Sequence, residues 1–122
     1  DKVRRFSNIR ANTGTSITYA DSATNGGSFT INEAGIYAVT YSEVANSNFG
    51  ITVNATGTTN ISTLEYATGR RQQGLPDGAA ELDCVSVTLR LAASDVVRAH
   101  TDGAHTSTST SVQFTICQVV KL

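Results

Sequence analysis

The chain has 122 residues, a formal net charge of −1 and only 16% charged residues, which fits one domain of ordinary size. Its lysines and arginines are scattered, so it lacks the basic stripe that nucleic-acid-binding proteins usually carry. No apolar run approaches the roughly 20 residues that span a bilayer as a helix. We therefore expect residues 1–122 to form a single domain without a nucleic-acid partner.

Apolar and polar residues alternate along nine segments, and no segment repeats apolar residues at helical spacing. The pattern predicts an all-β domain whose strands are separated by turn-forming residues such as Asn25-Gly26-Gly27 and Asp102-Gly103. Several short strands at this spacing predict a sandwich or a barrel. In chain order the predicted strands are Phe6–Ala11, Thr15–Ala20, Gly27–Ile31, Gly35–Val44, Phe49–Ala55, Asn60–Ala67, Leu82–Leu91, Asp95–Asp102 and Ser111–Leu122.

The fourth and ninth predicted strands carry apolar side chains on both faces. In a two-layer sandwich only one face of each strand meets the core, so the second face needs another partner. Because most soluble oligomers are homo-oligomers, we expect that partner to be another copy; a barrel interior or a covering loop is the alternative. In the fourth strand the two faces carry Ile36, Ala38 and Val44, and Tyr37, Val39 and Tyr41. In the ninth they carry Val112, Phe114, Ile116, Val120 and Leu122, and Thr115, Cys117 and Val119.

Three segments resemble the tumour-necrosis-factor and complement globular-head superfamily. Phe29–Tyr41 resembles its aromatic, turn, Gly-x-Tyr strand, and Val85–Val97 resembles its Leu-x-Leu, turn, Asp-x-Val hairpin. Phe114–Leu122 resembles the strand that closes those domains. The segments follow the family's order, but Ala92-Ala93-Ser94 stands where the family often places a glycine before the aspartate.

This resemblance implies a jelly-roll β-sandwich that forms a homotrimer, with one sheet facing the threefold axis. Such an arrangement agrees with the two-faced strands. The residues that it would place near subunit contacts are Tyr37, Val39, Tyr41, Cys117 and Val119.

The composition is rich in serine, threonine, asparagine and glycine and contains no methionine, and it looks like that of a phage structural protein. The whole chain resembles the C-terminal knob of the tail needles of short-tailed enteric phages. That resemblance implies a fragment of a longer protein, located in the virion at the distal tip of the tail, whose N-terminal part is a coiled-coil stalk. Its function would be to cap the stalk and to contact the host envelope or a surface receptor during attachment or genome delivery.

A second hypothesis is a receptor-binding or glycan-binding head of a secreted or cell-surface protein, with an extracellular location. An enzyme such as a polysaccharide depolymerase ranks last, because the paired carboxylates of glycosidases are not evident among the few, mostly isolated acidic residues. The only histidines, His100 and His105, occur without a nucleophile elbow. We expect no catalytic activity and no cofactor.

The two cysteines, Cys84 and Cys117, lack zinc-site spacing, so no metal site is predicted. Both lie in apolar strand patterns, and two buried free thiols are favoured over a single bridge, which the sequence leaves open.

Four arginines are candidates for contact with a small anion or another ligand. Arg70 and Arg71 lie in the longest break, Gly69–Ala80, where a solvated loop is the favoured interpretation. Arg90 and Arg98 lie on predicted strands, so their guanidinium groups must reach water or a partner. In a trimer either would line a cleft in which a small anionic ligand binds between subunits.

Overall fold

The computed structural model describes residues 2–6, 8–45, 49–55, 66–68, 81–101 and 116–122. These residues form nine strands and no helix, so the predicted all-β class is confirmed, and among them no helix could cross a membrane. The strands are β1 (Lys2–Val3), β2 (Ile17–Ser22), β3 (Gly26–Ile31), β4 (Gly35–Ala45), β5 (Phe49–Val53), β6 (Tyr66–Thr68), β7 (Glu81–Leu91), β8 (Val96–Thr101) and β9 (Ile116–Lys121).

The strands form two antiparallel sheets, an arrangement consistent with a β-sandwich. The larger sheet has the order β2-β3-β8-β5-β6, and β1 pairs with β8 beyond the residues that β3 pairs. The smaller sheet has the order β7-β4-β9. Three pairs are nested in the sequence, because β3 pairs with β8, β4 with β7 and β5 with β6.

Both sheets contribute to one hydrophobic core. Tyr41 of the smaller sheet and Phe49 of the larger sheet pack edge to face, with ring centroids 5.5 Å apart. Since burial of a large apolar side chain stabilises a fold by roughly 1.5–3 kcal/mol, these side chains hold the sheets together. The core cluster comprises Ile31, Tyr37, Val39, Tyr41, Phe49, Ile51, Val85, Leu91, Val97 and Ala99.

Most predicted strands agree with the observed ones to within a few residues wherever the chain is described. The predicted strand Phe6–Ala11 is wrong, because the described residues of that range form no strand and the first strand is Lys2–Val3. Instead of pairing with a strand, the backbone of Phe6 donates to and accepts from the hydroxyl of Tyr19. Of the predicted strand Asn60–Ala67, residues 60–65 lie outside the described residues.

In the turn between β7 and β8, Ser94 stands directly before Asp95. Its backbone conformation is one that a glycine would adopt more easily. Ser94 has a φ of 75°, in the left-handed region that side chains with a Cβ disfavour. Its backbone N–H donates to the carbonyl of Ile31 at 2.7 Å. The Asp95 carboxylate closes the turn by accepting from the Ala92 N–H at 2.7 Å and from the Asn54 amide at 2.8 Å. The turn therefore has its hydrogen bonds in place but holds a serine in a conformation that favours glycine.

Candidate functional site

Three of the predicted interface residues lie in the core of a single chain. The side chains of Tyr37, Val39 and Tyr41 have 0% exposure within one chain, so they pack in its core, and their predicted position near subunit contacts stays a prediction. The hydroxyl of Tyr37 donates to the backbone carbonyl of Glu33, and that of Tyr41 donates to the carboxylate of Glu43. Burial, followed by the charge of Glu43, holds the pKa of Tyr41 well above its usual value. These side chains face inward because the bulkiest residues of β4 fill the space between the sheets.

The other two predicted interface residues, Cys117 and Val119, are half-buried on the inward side of β9. They lie opposite Tyr41 and Val39 in the register of the sheet, and they pack against the core. Burial raises the pKa of the Cys117 thiol to about 12. A contact between these two residues and a second copy stays a prediction.

The opposite side of the smaller sheet points away from the core, and we call it the outward face. Its residues alternate with the inward ones along each strand, and the register aligns them in rows across the sheet. Ala38, for example, lies between Thr88 and Val120, and Ser42 between Cys84 and Ile116. The outward face consists of Ile36, Ala38, Thr40, Ser42, Cys84, Ser86, Thr88, Arg90, Ile116, Gln118, Val120 and Leu122.

Exposed apolar side chains concentrate on one edge of this face. Ile116, Val120 and Leu122 are 54%, 48% and 72% exposed, and they account for three of the four large apolar side chains exposed among the described residues. Among the described residues of the outward face, Arg90 alone is charged. Low charge and exposed apolar area are the composition of an interface core rather than of an ordinary solvent-facing surface.

The two candidate arginines that the structure describes, Arg90 and Arg98, lie on different sheets. Arg90 is exposed on the outward face, opposite Ile36. Arg98 lies on β8 in the other sheet, opposite Thr52, and is half-buried. Arg70 and Arg71 lie outside the described residues. Because Arg90 and Arg98 belong to different sheets, a single chain does not bring them together, and their role in binding a ligand stays a prediction.

Cys84, Cys117 and His100 lie on three different strands, β7, β9 and β8. No disulfide joins Cys84 and Cys117, because Cys84 lies on the outward face of β7 and Cys117 on the inward side of β9. The expected burial is wrong for Cys84, which is exposed. His100 is fully buried on β8, and His105 lies outside the described residues. Over the ranges that the structure describes, no group of three or more potential ligands could hold a metal ion.

Comparisons of the chain with protein-family models, with curated proteins and with solved structures find no match in any of the three. The outward face is therefore identified as the candidate site by its own geometry and chemistry. Its apolar residues are visible in the sequence as one side of two two-faced strands. Side-chain volume could have indicated which side of β4 faces outward. Both tyrosines of β4 lie on its inward side, and the smaller side chains lie on the outward face.

Proposed function

We propose that the chain is a jelly-roll head domain that assembles as a homotrimer and forms the distal knob of a phage tail needle or fibre. The outward face of the smaller sheet is the observation that carries this proposal, since it is nearly free of charge and exposes apolar side chains along β9. The head would cap a coiled-coil stalk and contact the host envelope during attachment or genome delivery.

The nested strand pairing supports the jelly-roll connectivity. The run β3-β4-β5 pairs strand by strand with the run β8-β7-β6. These two runs therefore form one long hairpin. Its first and third pairs, β3-β8 and β5-β6, lie in the larger sheet, and its middle pair, β4-β7, lies in the smaller sheet. Alternation of pairs between two sheets is how jelly rolls bury their strands on a common core.

The distribution of side-chain size supports a cyclic assembly. A ring forms when two different patches of one chain's surface complement each other. The β9 edge of the outward face presents large apolar groups such as Ile116 and Val120, whereas the β7 edge presents the small side chains Ser86 and Thr88. Contact between the large groups of one copy and the small groups of the next would remove apolar surface from water, which is the main driving force for association.

The phage part of the proposal is supported by the resemblance in sequence and composition. In this role the head acts mechanically, since the trimer holds three stalk helices in register and resists unfolding outside the cell. No chemical step is required of it. The surface left free by trimer formation would be the part that meets the host.

The molar mass of the purified chain tests the assembly. Light scattering on a sizing column is expected to give about 38 kDa, three times the 12.8 kDa of one chain. Val120→Lys places a charge in the proposed contact and is expected to give the monomer mass. Ala20→Lys, on the exposed side of β2, is the matched control and should leave the trimer intact. A monomeric wild-type chain would refute the proposed assembly.

Capping is tested by fusing a short trimeric coiled coil before Asp1. The described part of the head has no helix, so the circular dichroism signal at 222 nm reports mainly on the stalk. A head that holds the stalk in register should raise the melting temperature of that helical signal. The same fusion carrying Val120→Lys is the control, and equal melting temperatures for the two would contradict the capping role.

Host contact is tested separately by binding of the fluorescent trimer to bacterial cells and to a glycan array. Saturable binding to bacterial envelopes is the expected result. Binding to animal cells or to animal glycans alone would instead favour a head of a secreted or cell-surface protein.

A further inference from the structure

Residues 2–6, here called the anchor segment, are held by several strands at once. Val3 is fully buried, and β1 pairs with β8 through Lys2 with Thr101 and Val3 with His100. The side chain of Val3 occupies space beside β3, because a Cβ built on Gly26 would lie 2.6 Å from the Val3 Cβ. The segment is thus inserted into the larger sheet instead of lying on its surface.

Arg4 joins the two sheets through the core. Its backbone N–H donates to the carbonyl of Ala99 at 2.7 Å, and its carbonyl accepts from the N–H of Gly27 at 2.9 Å, both in the larger sheet. Its guanidinium group crosses to Glu43 on β4 of the smaller sheet, with Nη2 3.0 Å from Oε1 and Nε 3.0 Å from Oε2. Both side chains are only 2% exposed, and Tyr41 donates to the same carboxylate.

Arg5 and Phe6, the next two residues of the anchor segment, contact side chains of β2. Arg5 makes a forked ion pair with Asp21, with distances of 2.8 and 2.6 Å. The backbone N–H and carbonyl of Phe6 each bond to the hydroxyl of Tyr19 at 3.0 Å. The Phe6 ring also packs edge to face on Tyr41 of the smaller sheet. The anchor segment therefore contacts β2, β3 and β8 of one sheet and β4 of the other.

We infer that the anchor segment is the junction of the head through which tension applied before Lys2 is passed to both sheets. This inference rests on the proposed function only for the source of the tension, which would be a stalk that is pulled at the host envelope. Because the hydrogen bonds between β1 and β8 lie across the strands, tension directed along β1 shears these bonds and loads the Arg4 fork at the same time. Simultaneous loading prevents the segment from peeling away one bond at a time.

The buried ion pair makes detachment costly. Withdrawal of Arg4 would leave the Glu43 carboxylate buried without its cation, a strongly unfavourable state in a low-dielectric interior. The segment is therefore expected to leave only when the core itself opens. Contacts that break in the unfolding transition state govern the lifetime of the folded state, and the Arg4–Glu43 contact is expected to be one of them.

Constant-force unfolding of single molecules tests this inference. The variant is Arg4→Met/Glu43→Gln, which removes both charges and retains an acceptor for the hydroxyl of Tyr41. Replacement of a whole buried ion pair often leaves equilibrium stability unchanged, so urea unfolding should stay near wild type. Under tension between a residue added before Asp1 and the C-terminus, the lifetime should fall at least about tenfold, the equivalent of 1.4 kcal/mol in the barrier. Arg5→Ala, which removes only the exposed ion pair, should change it less.

A second point of force application distinguishes resistance to force on the anchor segment from the stability of the whole fold. Force is applied through Asn12→Cys in a Cys84→Ser background, so that the load enters after the anchor segment. The half-buried Cys117, whose thiol pKa is raised to about 12, should not react with the handle at neutral pH. With this attachment the double variant and the wild type should have similar lifetimes. Equal lifetimes under N-terminal load, or an equal loss at both attachment points, would overturn the inference. The molar mass decides the proposed assembly independently of either result.

Discussion

The turn between β7 and β8 offers a direct test of backbone strain, through Ser94→Gly. Ser94 has a φ of 75°, and this conformation costs a residue with a Cβ roughly 1–2 kcal/mol. A glycine removes that cost but adds freedom to the unfolded chain worth roughly 0.5–1 kcal/mol. The hydrogen bond from the N–H of residue 94 to the carbonyl of Ile31 is a backbone bond and is retained. We therefore expect a net stabilisation of about 0.5–1 kcal/mol.

The neighbouring residue supplies the control. Ala93 belongs to the same turn but does not have a positive φ, so Ala93→Gly only adds freedom to the unfolded chain and should destabilise by about 0.5–1 kcal/mol. The two glycine variants should thus differ by roughly 1–2 kcal/mol in urea unfolding and by several degrees in melting temperature. If Ser94→Gly is no more stable than Ala93→Gly, the explanation of the glycine preference by backbone strain is refuted.

Three further predictions follow from particular contacts. Gly26→Ala should destabilise the fold more than Gly14→Ala in urea unfolding, because both residues have a positive φ but only Gly26 has neighbours within 4 Å. The hydrogen bond and charge of Arg5 lower the pKa of Asp21, so Asp21 stabilises the fold above its unfolded pKa, and this contribution is lost as pH falls through its lower folded value. Asp21→Asn should therefore be less stable than wild type at pH 7, and the gap should close as the pH falls below the ordinary pKa of an aspartate and through the lower folded pKa of Asp21. Cys117 should resist labelling at pH 8 until the chain is denatured, since burial raises its thiol pKa to about 12; rapid labelling of both thiols in the folded protein would contradict that assignment.

Much of the fold was predictable because strand periodicity is a local property. Successive side chains of a strand point to opposite faces, so alternation predicts strands such as Gly35–Val44 without knowledge of their neighbours. The strand predicted at Phe6–Ala11 failed for a non-local reason. The backbone N–H and carbonyl of Phe6 both form hydrogen bonds with the hydroxyl of Tyr19, which is 13 residues away in the sequence. No sequence pattern predicts that contact.

The ion pair between Arg4 and Glu43 was likewise invisible in the sequence. The two residues are 39 positions apart, and each taken alone is an ordinary charged residue that would be expected at the surface. Only the packing of the anchor segment across the core brings them together and buries them. The same packing gives the N-terminal segment a mechanical role that composition and motifs do not suggest.

The sequence by itself determined that this chain is all-β, where most of its strands lie and that two of them are apolar on both faces. The tertiary structure alone decided which of those faces is the core. Alternation divides a strand into two sides but does not orient them, because orientation depends on what the opposite sheet presents. Across the sandwich, Phe49 packs on Tyr41, which turns the tyrosine side of β4 inward. The side that carries Ile116, Val120 and Leu122 is consequently left at the surface, where we propose that a second copy covers it.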